Sequence, residues 1–211
     1  LQEPLLLAPR LEPSLAPLLA RRLNRPHSPP LIRTTLDAGL QRRLEDLLLG
    51  WRARLPDRTS AAIVVVETET MAVRAYLGSV DINDARRFGH VDMIHALRSP
   101  GSTLKPFLYG LAMDAGLIHS ESLLQDVPRR YGDYRPGNFS MGFSGPVSAS
   151  SALALSLNLP AVQLLEAYGP KRFAAELRNG GVPLSLPALA EPNLALILGG
   201  AGSRLEDVVS G

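Results

Sequence analysis

Ser99-Pro100-Gly101-Ser102-Thr103-Leu104-Lys105-Pro106-Phe107 sets a compact Ser-Pro-Gly turn directly before the start of a helix. Proline is tolerated in the first turn of a helix but not in its interior, so Pro106 places the beginning near Ser102, and Gly116 supplies the stop. Ser102 and Lys105 then stand three residues apart on one helix face, which brings the lysine ammonium toward the serine hydroxyl. A serine hydroxyl is a poor nucleophile without a base, and lysine serves as one when burial lowers its pKa enough to populate the neutral amine. Main-chain N–H groups and the positive dipole end of the helix favour an oxyanion or carboxylate at the same place. Two lysines among seventeen serines can produce this spacing by chance, so the flanking turn and proline carry the reading.

Downstream, helical segments over about 148–155 and 160–168, the second stopped by Gly169, flank Ser156-Leu157-Asn158-Leu159. Ser156 and Asn158, two residues apart in an extended connection, point the same way. Taken alone, the pair reads more readily as a Ser or Asn capping the next helix. A loop-rich stretch over 125–145 separates the two motifs. Beyond residue 169 the chain is punctuated by Gly and Pro, with a last helix around 203–209.

Upstream, Leu36, Leu40, Leu44, Leu47, Leu48, Trp51 and Leu55 recur at steps of three or four, marking an amphipathic helix that Thr35 or Asp37 can cap and Pro56 ends. The β-rich runs 61–66 and 71–77 are separated by polar residues and predict an antiparallel hairpin. Its first strand is apolar on both faces and is expected to be central. Residues 1–33 hold Pro4, Pro9, Pro13, Pro17, Pro26, Pro29 and Pro30 and read as a linker or lead-in with one short helix near 16–23.

Composition narrows the class. With 45% hydrophobic and 20% charged residues in 211, the chain is too apolar to be disordered, and 18 Pro with 18 Gly oppose a coiled coil. The fold is expected to be mixed α/β. The longest apolar run, 61–66, is far too short to span a bilayer. A net charge of +2, with no basic cluster interleaved with aromatics, gives no sign of nucleic-acid binding, and zero Cys removes thiolate chemistry and disulfides.

Other constellations carry less. His90, Asp92 and His95 have a spacing that can present three zinc ligands, but no catalytic carboxylate motif accompanies them, and surface histidines are the better reading. Glu45-Asp46 and Glu206-Asp207 read as solvated helix faces. Gly199-Gly200-Ala201-Gly202 lacks the Lys-Ser/Thr of a phosphate loop and reads as a turn. No cofactor and no metal are called for.

Taken in order, Ser102-x-x-Lys105 and Ser156-x-Asn158 resemble the first two active-site motifs of the serine penicillin-recognising enzymes, the penicillin-binding proteins and β-lactamases. Thr34-Thr35-Leu36-Asp37 with Leu40-Gln41 looks like the opening of the transpeptidase domain of class A penicillin-binding proteins. Pro100–Phe107 is close to their nucleophile segment. Asp126, Tyr134, Pro136, Asn138, Gly145-Pro146-Val147 and the run from Ala152 to Val162 continue the likeness, which covers 34–211 and is strongest to the 1C group.

The resemblance implies a β-lactamase-like α+β fold in which a five-stranded antiparallel sheet packs with helices beside an all-helical region. It implies a peptidoglycan D,D-transpeptidase: Ser102 the nucleophile, Lys105 its base, Ser156 a proton relay to the leaving amine, and Asn158 the group that binds the acyl-side amide and holds Lys105. Stem peptides ending in D-Ala-D-Ala and β-lactam antibiotics are the implied partners. The location is extracytoplasmic, with the membrane anchor and a glycosyltransferase domain expected outside this chain. The family's third motif, K-[ST]-G, is absent because the only other lysine is Lys171, in Lys171-Arg172-Phe173. The resemblance therefore implies a domain cut short of its C-terminal strands and feeble as an enzyme; a non-catalytic penicillin sensor or scaffold of the same fold is the alternative.

Overall fold

The computed structural model describes residues 16–130 and 142–211, in two units, Leu1–Ala96 and Leu97–Gly211. Tyr134, Pro136 and Asn138 lie outside the described residues.

In the first unit, β-branched residues build a hairpin of β1 (Ile63–Val66) and β2 (Val73–Leu77), paired antiparallel with Ile63 opposite Leu77. The register passes from Val65–Ala75 to Val66–Val73, so Arg74 is the extra residue of a β-bulge and Val73 turns to the opposite face. Among the described residues β1 has β2 as its only strand partner, so it is not central. Its two apolar faces have another cause. Ile63 and Val65 pack with Leu48, Ala75, Leu77 and Val80, while Val64 packs with Ala16, Tyr76 and Ile94. The hairpin is covered on both faces by helices and loops rather than flanked by strands, with β1 half-buried.

Helix α1 (Pro17–Leu23) forms where the lead-in was expected to be helical, and Leu18 is buried. Helix α2 (Ala38–Trp51) is capped by Asp37, whose Oδ1 accepts the Leu40 N–H at 2.8 Å, and it runs into a 3-10 turn at Arg52–Arg54 before Pro56. Leu40, Leu44 and Leu48 face the core, whereas Leu47 and Trp51 are exposed, with the Arg54 guanidinium stacked on Trp51. Glu45, expected on a solvated face, is half-buried and accepts from the Ala16 N–H at 3.0 Å and the Gln41 amide at 2.7 Å.

Among the described residues the outer edge of β2 is closed without a strand. Asp37 N–H donates to Arg74 O, Thr35 Oγ1 donates to Val73 O, and the fully buried Gln41 amide brackets Tyr76 by accepting its N–H at 2.8 Å and donating to its carbonyl at 3.0 Å. Asp92, one of the three residues weighed as zinc ligands, accepts from the Tyr76 hydroxyl and the Ile94 N–H. Among the described residues no three His or acidic side chains gather as a metal site.

The second unit is mostly helical. Its core joins α3 (Lys105–Asp114), α4 (Ala149–Ala154), α5 (Asn158–Tyr168) and α6 (Pro170–Asn179). Helix α5 lies nearly wholly inside, burying Leu159, Ala161, Val162, Leu164, Leu165 and Tyr168. Two short strands not read from the sequence, β3 (Leu123–Asp126) and β4 (Gly145–Ser148), pair antiparallel at the ends of the loop-rich stretch. The last helix, α7 (Leu205–Ser210), starts two residues later than expected. The described residues thus hold two separate two-stranded sheets rather than one five-stranded sheet. They are mixed α/β, and none of their helices is long and apolar enough to cross a membrane.

Candidate active site

Ser102 does not open an α-helix. A 3-10 turn at Gly101–Leu104 precedes α3, and Lys105 is its C-cap, donating its main-chain N–H to Ser102 O. Gly101 enters this turn at φ 53°, a left-handed conformation that glycine adopts without strain, and Pro106 sits in the first turn of α3 as its ring requires. A 3-10 turn has three residues per turn, so residues i and i+3 eclipse. Ser102 therefore stands over Lys105 more directly than an α-helix would place it. Ser102 is exposed, and its hydroxyl makes no hydrogen bond to the described residues; Lys105 beneath is 1% exposed.

The second motif arrives by a turn rather than an extended segment. After α4 the Ser156 N–H donates to Leu153 O and the Leu157 N–H to Ala152 O, each at 2.9 Å. This 5→2 and 6→1 pair is a Schellman turn, and Ser156 takes its left-handed position at φ 52°, where glycine is usual. Residues 156–158 accordingly depart from the extended connection expected of them. Asn158 instead begins α5, with Leu157 as N-cap.

Both motif residues reach Lys105. Its Nζ donates to Ser156 O at 2.6 Å and to Asn158 Oδ1 at 2.8 Å, and lies 3.2 Å from Ser156 Oγ. Because the charged ammonium offers only donors, the carbonyl oxygen of Asn158 faces it. None of these three partners is a carboxylate. Burial therefore goes uncompensated and pushes the Lys105 ammonium down from 10.5 to about 8. The neutral amine suits the same cage, donating to the two carbonyls and accepting from Ser156 Oγ. The result is an exposed serine over a buried, weakly basic lysine, an arrangement able to activate a nucleophile and pass a proton on.

The structure brings Ser102, Lys105, Ser156 and Asn158 into one unit of the fold. Residue spacing did not reveal the main-chain oxygen of Ser156, the shortest contact of the lysine. The available signal was a helix that stops at 155–157 without a glycine. A concavity of about 860 Å³ in the first unit is lined by Arg52, Asp84 and Arg87 among others. Their charges are already spent, Arg52 on Asp84 and Arg87 on the carbonyls of Pro56 and Thr59.

A family profile described as penicillin binding protein transpeptidase domain matches residues 61–183, and the chain belongs to that family. It is 65% identical over 209 residues to penicillin-binding protein 1C of Escherichia coli, covering 99% of this chain and 27% of that protein. It is 31% identical to penicillin-binding protein 1F of Bacillus subtilis, covering 80% and 23%. The chain thus spans about a quarter of the length of these curated relatives. Among solved structures, penicillin-binding protein PonA1 of Mycobacterium tuberculosis shares the fold, with TM-score 0.71, 21% identity, and 93% of this chain and 54% of that chain covered. The same protein in complex with penicillin V superposes with TM-score 0.72 at 22% identity.

Proposed function

We propose that this chain carries the nucleophile half of a peptidoglycan D,D-transpeptidase site. The observation that carries the reading is the cage of Lys105 Nζ by Ser156 and Asn158 one 3-10 turn from the exposed Ser102. Lys105, as the neutral amine, takes the proton from Ser102 Oγ while Oγ attacks the carbonyl of the penultimate D-Ala of a stem peptide. The main-chain N–H of Ser102, at the head of the 3-10 turn, faces the developing oxyanion. The C–N bond then breaks, and the proton passes from Lys105 through Ser156 Oγ to the amine of the departing D-Ala. A neighbouring stem's amine attacks the resulting ester, forms the cross-linking amide and returns Ser102 to its hydroxyl. Asn158 keeps Lys105 in line and receives the acyl-side amide.

A β-lactam follows the first half of this path. Ring opening cleaves its amide C–N bond, the nitrogen takes the proton, and the acyl group stays on Ser102. The penicillin V complex of PonA1 and the name shared by the curated relatives support this partner. The proposed setting is extracytoplasmic, with membrane anchor and glycosyltransferase domain in parts of the protein beyond this chain. These 211 residues hold no K-[ST]-G.

Intact mass before and after incubation with penicillin V tests the reading, with Ser102→Ala as control. An adduct that maps to Ser102 and disappears in the variant supports it. No adduct, even in a longer chain that carries the third motif, overturns it in favour of a non-catalytic scaffold.

A further inference from the structure

The turn that carries Ser102 is braced by a loop of its own unit. Arg98 and Ser203 exchange two main-chain hydrogen bonds, of 2.9 and 2.8 Å, and the Ser99 hydroxyl donates to the carbonyl of Gly199 at 2.9 Å. Gly199 ends a 3-10 turn at Leu194–Leu198 in the left-handed region, φ 99°. A methyl group on Gly199 would come within 2.2 Å of Ser99 Oγ and 3.2 Å of Gly101 Cα. On Gly200 it would meet Ala195 at 2.8 Å, so the loop cannot retreat by exchanging one glycine for the other. The glycine pair, read from the sequence as a plain turn, lies flat against the residues that precede the nucleophile.

Resting on the acyl-enzyme reading, we propose that Ser99 and Gly199 form a positioning latch that sets where Ser102 Oγ lies relative to Lys105 Nζ. Lys105 is held from the other side by Ser156 and Asn158. Ser102 Oγ has no hydrogen bond among the described residues, so the path of its backbone sets which positions its rotamers can reach. That path passes through Gly101, whose left-handed φ leaves the turn free to pivot unless something holds Ser99 and Pro100. A displacement of about 1 Å in a reacting atom can cost about 10²-fold in rate. Ser99 is exposed, so cutting its bond should leave the global fold almost untouched.

The test measures, for the parent and for Ser99→Ala, Ser99→Thr and Gly199→Ala, the limiting acylation rate by penicillin V, its half-saturating concentration, its pH midpoint, and amide exchange over 99–104. Ser99→Ala should acylate about tenfold more slowly, with half-saturation and pH midpoint unchanged and exchange over 99–104 faster. Ser99→Thr, which keeps the hydroxyl, should restore both, and Gly199→Ala should fall by about 100-fold. Parent-like acylation and exchange in Ser99→Ala overturn the latch. A shifted pH midpoint overturns it too, because the lysine would then have moved instead. If the parent itself forms no adduct, the acyl-enzyme reading fails, and exchange alone decides the latch: faster in Ser99→Ala sustains it, unchanged refutes it.

Discussion

Ser156 closes the turn after α4 in a left-handed conformation, φ 52°, and thereby sets its carbonyl oxygen 2.6 Å from Lys105 Nζ. A non-glycine residue in this region costs on the order of 1 kcal/mol. Glycine would give the same turn without that cost, but it would present no hydroxyl at 3.2 Å from the amine. Local strain here accompanies a side chain that contacts Lys105.

Ser156→Gly separates the two roles. The backbone keeps its Schellman turn and relaxes, so thermal stability should stay level or rise by up to about 1 kcal/mol. Acylation should fall at least tenfold, because the relay hydroxyl is gone. Ser156→Val should lose both, since a β-branched residue is strained at positive φ. Paired melting curves and adduct-formation rates check the contrast.

The lowered pKa of Lys105 fixes two pH dependences. As the base must be neutral, the acylation rate should rise with pH and level off above about 8, and Lys105→Arg, always charged, should abolish it. For stability the sign is the reverse of a stabilising lysine partner. The folded lysine releases its proton near 8 and the unfolded one near 10.5, so the unfolded state binds more protons between these values. Relative to Lys105→Met, stability should therefore climb from pH 8 to 10.5, by up to about 3 kcal/mol. Urea unfolding of both proteins at pH 7.5 and 10 measures it.

Local chemistry made much of the site legible. Pro100, Gly101 and Pro106 act over a few residues, so they located the nucleophile turn, and Asp37 and Pro56 bounded α2 in the same way. What escaped depends on distant partners. Strand β4, Gly145-Pro146-Val147-Ser148, has poor β-propensity and forms because Leu123–Asp126 pairs with it from twenty residues away. The apolar faces of β1 mark a strand covered on both sides but not what covers it. Helix α6 was legible in retrospect: Pro170 at its first position, Gly180 after its end, and Phe173, Ala174 and Leu177 on its buried face.

Two buried tyrosines should respond oppositely to loss of their hydroxyls. Tyr109 is 1% exposed, and its hydroxyl has no hydrogen-bond partner among the described residues, so Tyr109→Phe should stabilise the second unit by about 1 kcal/mol and leave acylation intact. The Tyr76 hydroxyl donates to Asp92 at 2.6 Å and accepts from Arg22 at 3.1 Å. Tyr76→Phe should destabilise by about 1–2 kcal/mol, since it removes the hydroxyl donor from Oδ2 of the half-buried Asp92 and leaves that carboxylate only the Ile94 N–H among the described residues. Chemical denaturation of both variants decides between these outcomes.

Gln41 gives the sharpest test of how β2 is held. Its amide stands where a neighbouring strand would, taking the Tyr76 N–H and supplying a donor to the Tyr76 carbonyl, while the same nitrogen reaches Glu45. Gln41→Leu is close in size but leaves both main-chain groups buried without partners, which should cost about 2–4 kcal/mol. Gln41→Glu keeps the acceptor for the Tyr76 N–H but, when ionised, offers nothing to the carbonyl and sets two carboxylates together one helical turn apart. Protonation restores a donor and removes the repulsion. Gln41→Glu should therefore be as damaging as Gln41→Leu at pH 7 and recover most of the difference from the parent near pH 4, whereas Gln41→Leu should show no such recovery. Equal losses for the two variants at both pH values would mean that β2 is held by its apolar packing rather than by the bracket.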